Sequence, residues 1–267
     1  HKKGLPMSDA LHIAKTGLNA QQSRMSVISN NLANVNTVGF KRDRASFESL
    51  LYQTEREVGS QTSQNTQSPT GLAIGTGVRV AASEKLYSQG NIISTDNSLD
   101  MTVEGPGFFQ ILMPTGQIAY TRSGNFTKDS QGRVVNSSGY PLEPAITIPP
   151  EATSITISSD GIVSVALAGQ TKLQQVGTVE IATFPNNAGL KQLGGTLALE
   201  TQSSGAPNVG APGSPPRGTI LQGALEASNV NVVEELVSMI ETQRAYEVNS
   251  KAISSVDGML KYLTQNV

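Results

Sequence analysis

Apolar residues recur every seven positions at both ends of the chain and in short, turn-punctuated runs between them. The first series is Leu11, Leu18, Met25 and Leu32, and the last is Val232, Met239, Tyr246, Ile253 and Leu260. A seven-residue repeat keeps side chains on one side of a helix and suits packing against another helix. The pattern predicts one helix over 8–36 and a second from Ser228 to Thr264. Ser8 or Asp9 is expected to cap the first, and Ser228 or Asn229 the second, because a short side-chain oxygen accepts the free amides of a first turn. Glu234 and Glu235 stand in early turns of the second, where the helix dipole favours acids. Asn30, Asn31, Asn34 and Asn36 crowd the far end of the first, and mark either an end or a packed polar seam.

The middle has the other periodicity. Phe108-Phe109-Gln110-Ile111-Leu112 reads as a strand, as does Tyr120–Phe126, and a turn over Asp129–Gly132 leads to a third strand at Arg133-Val134-Val135. Ile155/Ile157 and Val163/Val165 alternate on either side of Asp160-Gly161, a hairpin signal. Residues 203–218, dense in Ser, Gly and Pro, predict an irregular connection. Between the first helix and this region lie a basic patch (Lys41, Arg42, Arg44) and a polar stretch, 53–77. Composition alone reads that stretch as a flexible loop; the sharper reading is an extended arm ordered against neighbouring subunits.

The fold expected is α+β. Residues 7–39 and 226–267 are paired terminal helices forming a coiled-coil domain, 40–80 a connecting segment with the extended arm, and 81–225 a β-rich outer domain. Met7 is the expected start, with residues 1–6 a foreign remnant. A closed α+β domain, with both helices packed on the sheet, is the plainer alternative.

Composition removes most chemistry. Net charge is -2 with 15% charged residues, which leaves no basic face for nucleic acid. No apolar run has the length of a membrane span, so no direct membrane insertion is expected. Cysteine is absent, so neither disulfides nor thiolate metal sites can form. His12 lacks a partner at metal-ligand spacing. Gly71–Gly77 has no Lys-Ser/Thr at phosphate-loop spacing. Asp96, Asp100, Glu104, Asp129 and Asp160 are scattered among turns, and acids beside Gly and Ser are usually turn residues. No catalytic, cofactor or metal site is assigned. A secreted carbohydrate-active or adhesive β-protein remains a rival, which the lack of Trp and the 4% aromatic content weaken.

Longer motifs are more specific. Ser29-Asn30-Asn31-Leu32-Ala33-Asn34-Val35-Asn36-Thr37-Val38-Gly39-Phe40-Lys41 resembles the N-terminal signature of the bacterial flagellar rod and hook axial proteins. Gln243-Arg244-Ala245-Tyr246-Glu247-Val248-Asn249-Ser250-Lys251 resembles their C-terminal signature. Gly105-Pro106-Gly107-Phe108-Phe109 and Tyr120–Phe126 resemble their β-domain motifs. The stretch from Leu51-Tyr52-Gln53-Thr54 to Ser68–Val78, with Gln202–Pro207, is similar to the extra segment of the distal-rod branch; a proximal-rod or hook-type paralogue is the alternative.

The resemblance implies a structural, non-enzymatic protein. Its subunits would polymerise helically into the hollow distal rod, the periplasmic drive shaft that carries torque to the hook. They would be exported unfolded through the flagellar type III apparatus. Implied partners are further copies of itself, proximal rod proteins, the hook protein or its adapter region, and the P- and L-ring proteins. Shared heptad spacing assigns Leu11, Leu18, Met25, Leu32, Leu236, Met239, Tyr246, Ile253 and Leu260 to helix packing and assembly, with Asn30, Asn31, Asn34 and Asn249 as polar members. Tyr52, Gln53, Pro69, Gly71, Gly75 and Gly77 are the expected residues of the inter-subunit arm.

Overall fold

The computed structural model describes residues 6–56, 61–63, 66–67 and 72–265. The chain divides into two units. One gathers both terminal helices with residues 43–84; the other holds 33–42 and 85–231.

In the helical unit, α1 spans Pro6–Ala33 and α2 spans Val232–Gln265. At 1.5 Å per residue they are about 42 and 51 Å long. Both boundaries correct the expected caps. Ser8 and Asp9 fall inside α1, where Pro6 suits a first turn that needs no amide donor. Ser228 and Asn229 lie before α2, and their side chains are used elsewhere: Ser228 Oγ accepts from Val230 N, and Asn229 braces the β unit. The cluster Asn34–Asn36 turns after α1 instead of extending it.

The polar stretch is not an unpaired loop. Asp43–Ser49 pairs with Val78–Lys85, Tyr52–Arg56 with Leu72–Gly75, and Gln61–Ser63 with Thr66–Gln67. These nested antiparallel ladders make one two-stranded ribbon whose backbone groups bond to each other, which is how a polar sequence forms strands without a core of its own. Residues 57–60, 64–65 and 68–71, which include Pro69 and Gly71, lie outside the described residues.

The β unit is organised by the strand Phe108–Leu112. The order of its seven-stranded sheet is Lys191–Gly194, Leu197–Leu199, Ile118–Thr121, Phe108–Leu112, Ile181–Thr183 and Asn208–Gly210, with Leu142–Glu143 also bonded to Phe108–Leu112. Successive side chains of a strand face opposite sides. Phe109 and Ile111 therefore enter the main core with Met101, Phe126, Leu142, Ile146 and Ile181, while Phe108 joins Tyr87, Tyr120 and Phe184 on the other side. In that second cluster the rings meet edge to face at centroid distances of 4.8–5.9 Å. The hairpin over Asp160-Gly161 forms, with Ile157 opposite Val163 and Ile155 opposite Val165. The expected strand Tyr120–Phe126 is shorter, because Ser123 and Gly124 turn out of the sheet and Asn125 bridges Asp100. The segment 203–218 contributes the strand Asn208–Gly210, so it is not wholly irregular.

Candidate assembly site

Within the helical unit α1 and α2 run antiparallel, and contacts between described residues mark their seam. Gly17 faces Asn249, where an added Cβ would come within 3.1 Å of Nδ2. Arg24 Nη2 lies 3.9 Å from Glu241 Oε2, and Asn31 Nδ2 donates to Glu235 Oε2 at 3.2 Å. The residues are small or polar and sit near one another on a heptad wheel: Gly17, Arg24 and Asn31 on α1, with Glu235, Thr242 and Asn249 on α2. Asn31, Glu235 and Thr242 are buried, as are Ala20 and Ile28. Asn31 also closes a pair of bonds with the main chain of Asp43, donating to its carbonyl and accepting from its amide at 2.9 Å each. The solvent-exposed Arg24–Glu241 pair adds little stability; the buried amide and carboxylate fix register.

Of the sequence-predicted residues, Asn31 and Asn249 lie in this seam and the apolar ones lie elsewhere. Leu11, Leu18, Met25 and Leu32 lie about a quarter-turn round α1 from the seam and are only half-buried. On α2, Met239, Asn249 and Ile253 are half-buried, while Leu236 and Tyr246 are exposed. The side chain of Leu260 lies outside the described residues. Asn30 donates to Asp43 Oδ2 at 3.1 Å, and Asn34 accepts from Thr37 Oγ1 at 3.2 Å. Of the arm residues, Tyr52 and Gln53 pair through their backbones with Gly75 and Ile74. Gly77 (φ +120°) lies against α1, where a Cβ would stand 2.2 Å from Thr16 Oγ1. That hydroxyl also accepts from Val78 N at 3.3 Å.

The β unit contains a second site that the motifs did not disclose. Lys41 is no part of a surface patch: it is 4% exposed and bonds Glu226 Oε1 at 2.5 Å and Ser88 O at 2.8 Å. Glu226, wholly buried, also accepts from Arg122 Nε at 2.8 Å and from Gly90 N at 2.9 Å, and pairs with Arg122 Nη2 at 2.7 Å. Arg122 places its remaining donors on the carbonyls of Val103, Gly105 and Gly107. All five guanidinium protons are thereby accounted for. Burial pushes the Lys41 ammonium below its ordinary range; the Glu226 carboxylate opposes this and the Arg122 charge adds to it. Arg44, by contrast, pairs with Glu84 on the ribbon.

The cluster braces chain ends. The chain crosses between units after residues 32, 42, 84 and 231. On the β-unit side, Arg42 N donates to Asn229 Oδ1 at 2.7 Å, Leu86 N donates to Arg42 O at 2.9 Å, and Asn229 Nδ2 donates to Leu86 O at 2.8 Å. Gly39 N donates to Glu226 O at 2.8 Å. At Gly39 φ is +69°, and a Cβ would lie 2.5 Å from Ser123 N, so only glycine fits. The Gly39-Phe40-Lys41 end of the first signature thus meets Arg122 of one β motif and Gly105 and Gly107 of another. Sequence spacing could not reveal this, since Glu226 stands 185 residues from Lys41. Among the described residues, no group of His, Cys, Asp and Glu is placed to hold a metal ion.

These are the regions that known families share. A model described as Flagella basal body rod protein matches residues 11–41, Flagellar hook protein FlgE/F/G D1 domain matches 102–165, and Flagellar basal body rod FlgEFG protein C-terminal matches 221–266. The flagellar basal-body rod protein FlgG of Buchnera aphidicola subsp. Schizaphis graminum is 54% identical over 97% of this chain and 100% of its own length. That of Caulobacter vibrioides is 49% identical over 96% and 98%. The chain belongs to the FlgG family of flagellar basal-body rod proteins. A FlgF rod protein of Caulobacter vibrioides is 31% identical over 93% of the chain, so the paralogous reading is not favoured. As a FlgG-family member the chain is a structural subunit of the distal rod in the flagellar basal body, not an enzyme. The buried ion cluster is accordingly architecture, and its chemistry is that of a brace.

Proposed function

We propose that this chain polymerises helically into the hollow shaft of the rod, with α1 and α2 packed as a coiled coil that forms the inner tube. The observation carrying this reading is the division of labour on the helices. Their mutual seam is small and polar, while most of their apolar heptad residues stay half-buried or exposed in a single copy. Such helices are marginal alone and gain stability when neighbours cover them. The β unit then faces outward, toward the P- and L-ring proteins; its many Ser, Thr and Gly residues suit a surface that turns within a sleeve. Proximal rod proteins would meet one end of the polymer and the hook or its adapter the other. A chain with such weakly self-sufficient helices also suits export unfolded through the type III apparatus, with folding at the growing tip.

The ribbon 43–85 is the stiffness element in this reading. A two-stranded ribbon leaves two edges open, and those edges can bond to neighbouring copies and resist sliding. Removing α2 tests the whole proposal: the remaining chain should keep a folded β unit, stay monomeric and form no rods. Rods assembled from that truncated chain would refute it.

A further inference from the structure

Residues 219–229, at the C-terminal end of the β unit, run as a strap along segments that come much earlier in the chain. Thr219–Gln222 pairs antiparallel with Met101–Glu104, and Ala224–Glu226 with Ile92–Ser94, each as a two-stranded sheet. Among the described residues, neither Met101–Glu104 nor Ile92–Ser94 has another strand partner. Yet Met101 and Val103 are each 1% exposed and belong to the main core, to which the strap adds Ile220. Gln222 ties the strap to the Asp160-Gly161 hairpin: its Nε2 donates to Ile155 O and its Oε1 accepts from Ile157 N, both at 2.9 Å. Ile220 N donates to Ser159 O at 3.1 Å, and Ala227 N to Asn91 O at 2.8 Å. The strap therefore fixes one side of the core that nothing else in strand pairing holds.

We infer that the strap is a chain-completion switch: the β unit closes only when Glu226 arrives, and Lys41 and Arg122 keep it open until then. These two cations, 4% and 7% exposed, converge on one carboxylate. Without that carboxylate, closure takes two like charges out of water with no counter-charge, which is strongly unfavourable. Hydration therefore keeps the Lys41 and Arg122 side open. Arg122 also donates to the carbonyls of Val103, Gly105 and Gly107, so the open state releases the strand Met101–Glu104 as well. Glu226 brings the missing anion and the missing strand partners together, so charge and backbone pairing act in the same direction and closure is cooperative. Arg122 and Lys41 stand 104 and 185 residues before Glu226, so the switch responds to the presence of nearly the whole β unit. The inference concerns a single chain and does not depend on the polymer reading. It gives a physical reason for a partly delivered chain to stay unfolded.

The test follows the whole chain as it refolds from urea. Its amides are pulse-labelled by hydrogen exchange at increasing times, and mass spectrometry reads the peptides covering 219–227 (the strap) and 108–121 (the central strands of the large sheet). In the wild-type chain both peptides should gain protection in one kinetic phase. Glu226→Gln keeps the shape and removes the charge. It should slow that phase in both peptides by a factor on the order of ten, the equivalent of one charge-assisted hydrogen bond. Glu151→Gln, at an exposed turn, should leave the phase unchanged. Loss of protection from both peptides together in Glu226→Gln would be the same result in stronger form. A wild-type chain that protects 108–121 in an earlier phase than 219–227 would overturn the inference. So would a Glu226→Gln chain with wild-type timing, or one that protects 108–121 while 219–227 stays exchangeable.

Discussion

Replacing Glu226 by alanine should destabilise the β unit more than replacing Lys41 by methionine. The carboxylate takes four donors: Lys41 Nζ, Arg122 Nε and Nη2, and Gly90 N. Without it two buried positive charges face each other with no anion. Breaking a buried pair by removing one partner costs about 3–5 kcal/mol. That is a large part of the ~5–15 kcal/mol that holds a domain folded. Lys41→Met is predicted to be milder, on the order of 1–2 kcal/mol, because Ser88 O keeps its bond from Asn229 Nδ2 and a one-to-one Arg122–Glu226 pair remains. The decisive variant combines both. Glu226→Ala with Lys41→Met leaves one uncompensated cation instead of two, so the double variant should be more stable than Glu226→Ala alone. Urea unfolding of the monomer, followed by near-ultraviolet circular dichroism of the Tyr87–Phe108–Tyr120–Phe184 cluster, gives the three midpoints and slopes. A loss below about 1 kcal/mol for Glu226→Ala, or a double variant weaker than that single one, would refute the argument from uncompensated charge.

Three further outcomes are expected. Gly39→Ala forces a Cβ to 2.5 Å from Ser123 N at a φ of +69°, and should cost above ~2 kcal/mol in the same urea assay, beyond the ~1–2 kcal/mol of a left-handed conformation alone; a wild-type midpoint would contradict it. Burial, with the charge of Glu200, pushes the Tyr120 phenol up to about 12 from 10.0, so the folded chain holds that proton at pH values where the unfolded chain has lost it. The stability this gives is whole below pH 10 and declines as pH rises from 10 to about 12, and Tyr120→Phe should flatten that decline in alkaline unfolding curves. Deleting residues 52–75 removes the ladder in which Tyr52 faces Gly75 while retaining the bond from Leu50 N to Gly77 O; rods should still assemble but bend more in electron micrographs, and rods as straight as wild type would count against the ribbon as stiffener.

Elements that announce themselves locally were legible in the sequence. The strand Phe108–Leu112, the Asp160-Gly161 hairpin and both long helices follow from periodicity and turn residues within a dozen positions. What was hidden depended on distance along the chain or on polar periodicity. Lys41 looked like a surface cation beside Arg42 and Arg44, because the partners that bury it, Arg122 and Glu226, arrive from remote strands. Of the residues assigned to helix packing, Asn31 and Asn249 lie in the seam, where they meet Glu235 and Gly17, which hydrophobic spacing did not single out. A heptad of small and polar residues was present at 235, 242 and 249, but hydrophobic patterning does not weigh it. The ribbon was missed because a two-stranded ladder satisfies backbone groups and needs no apolar face, so a Gln/Ser/Thr sequence carries little trace of it.

Electron microscopy of basal bodies from cells lacking this chain, before and after its expression is restored, tests the central claim most directly. The account predicts a rod that stops short, without an outer ring or hook, and that regains full length on restoration. A full-length rod with ring and hook in the absence of the chain would contradict it.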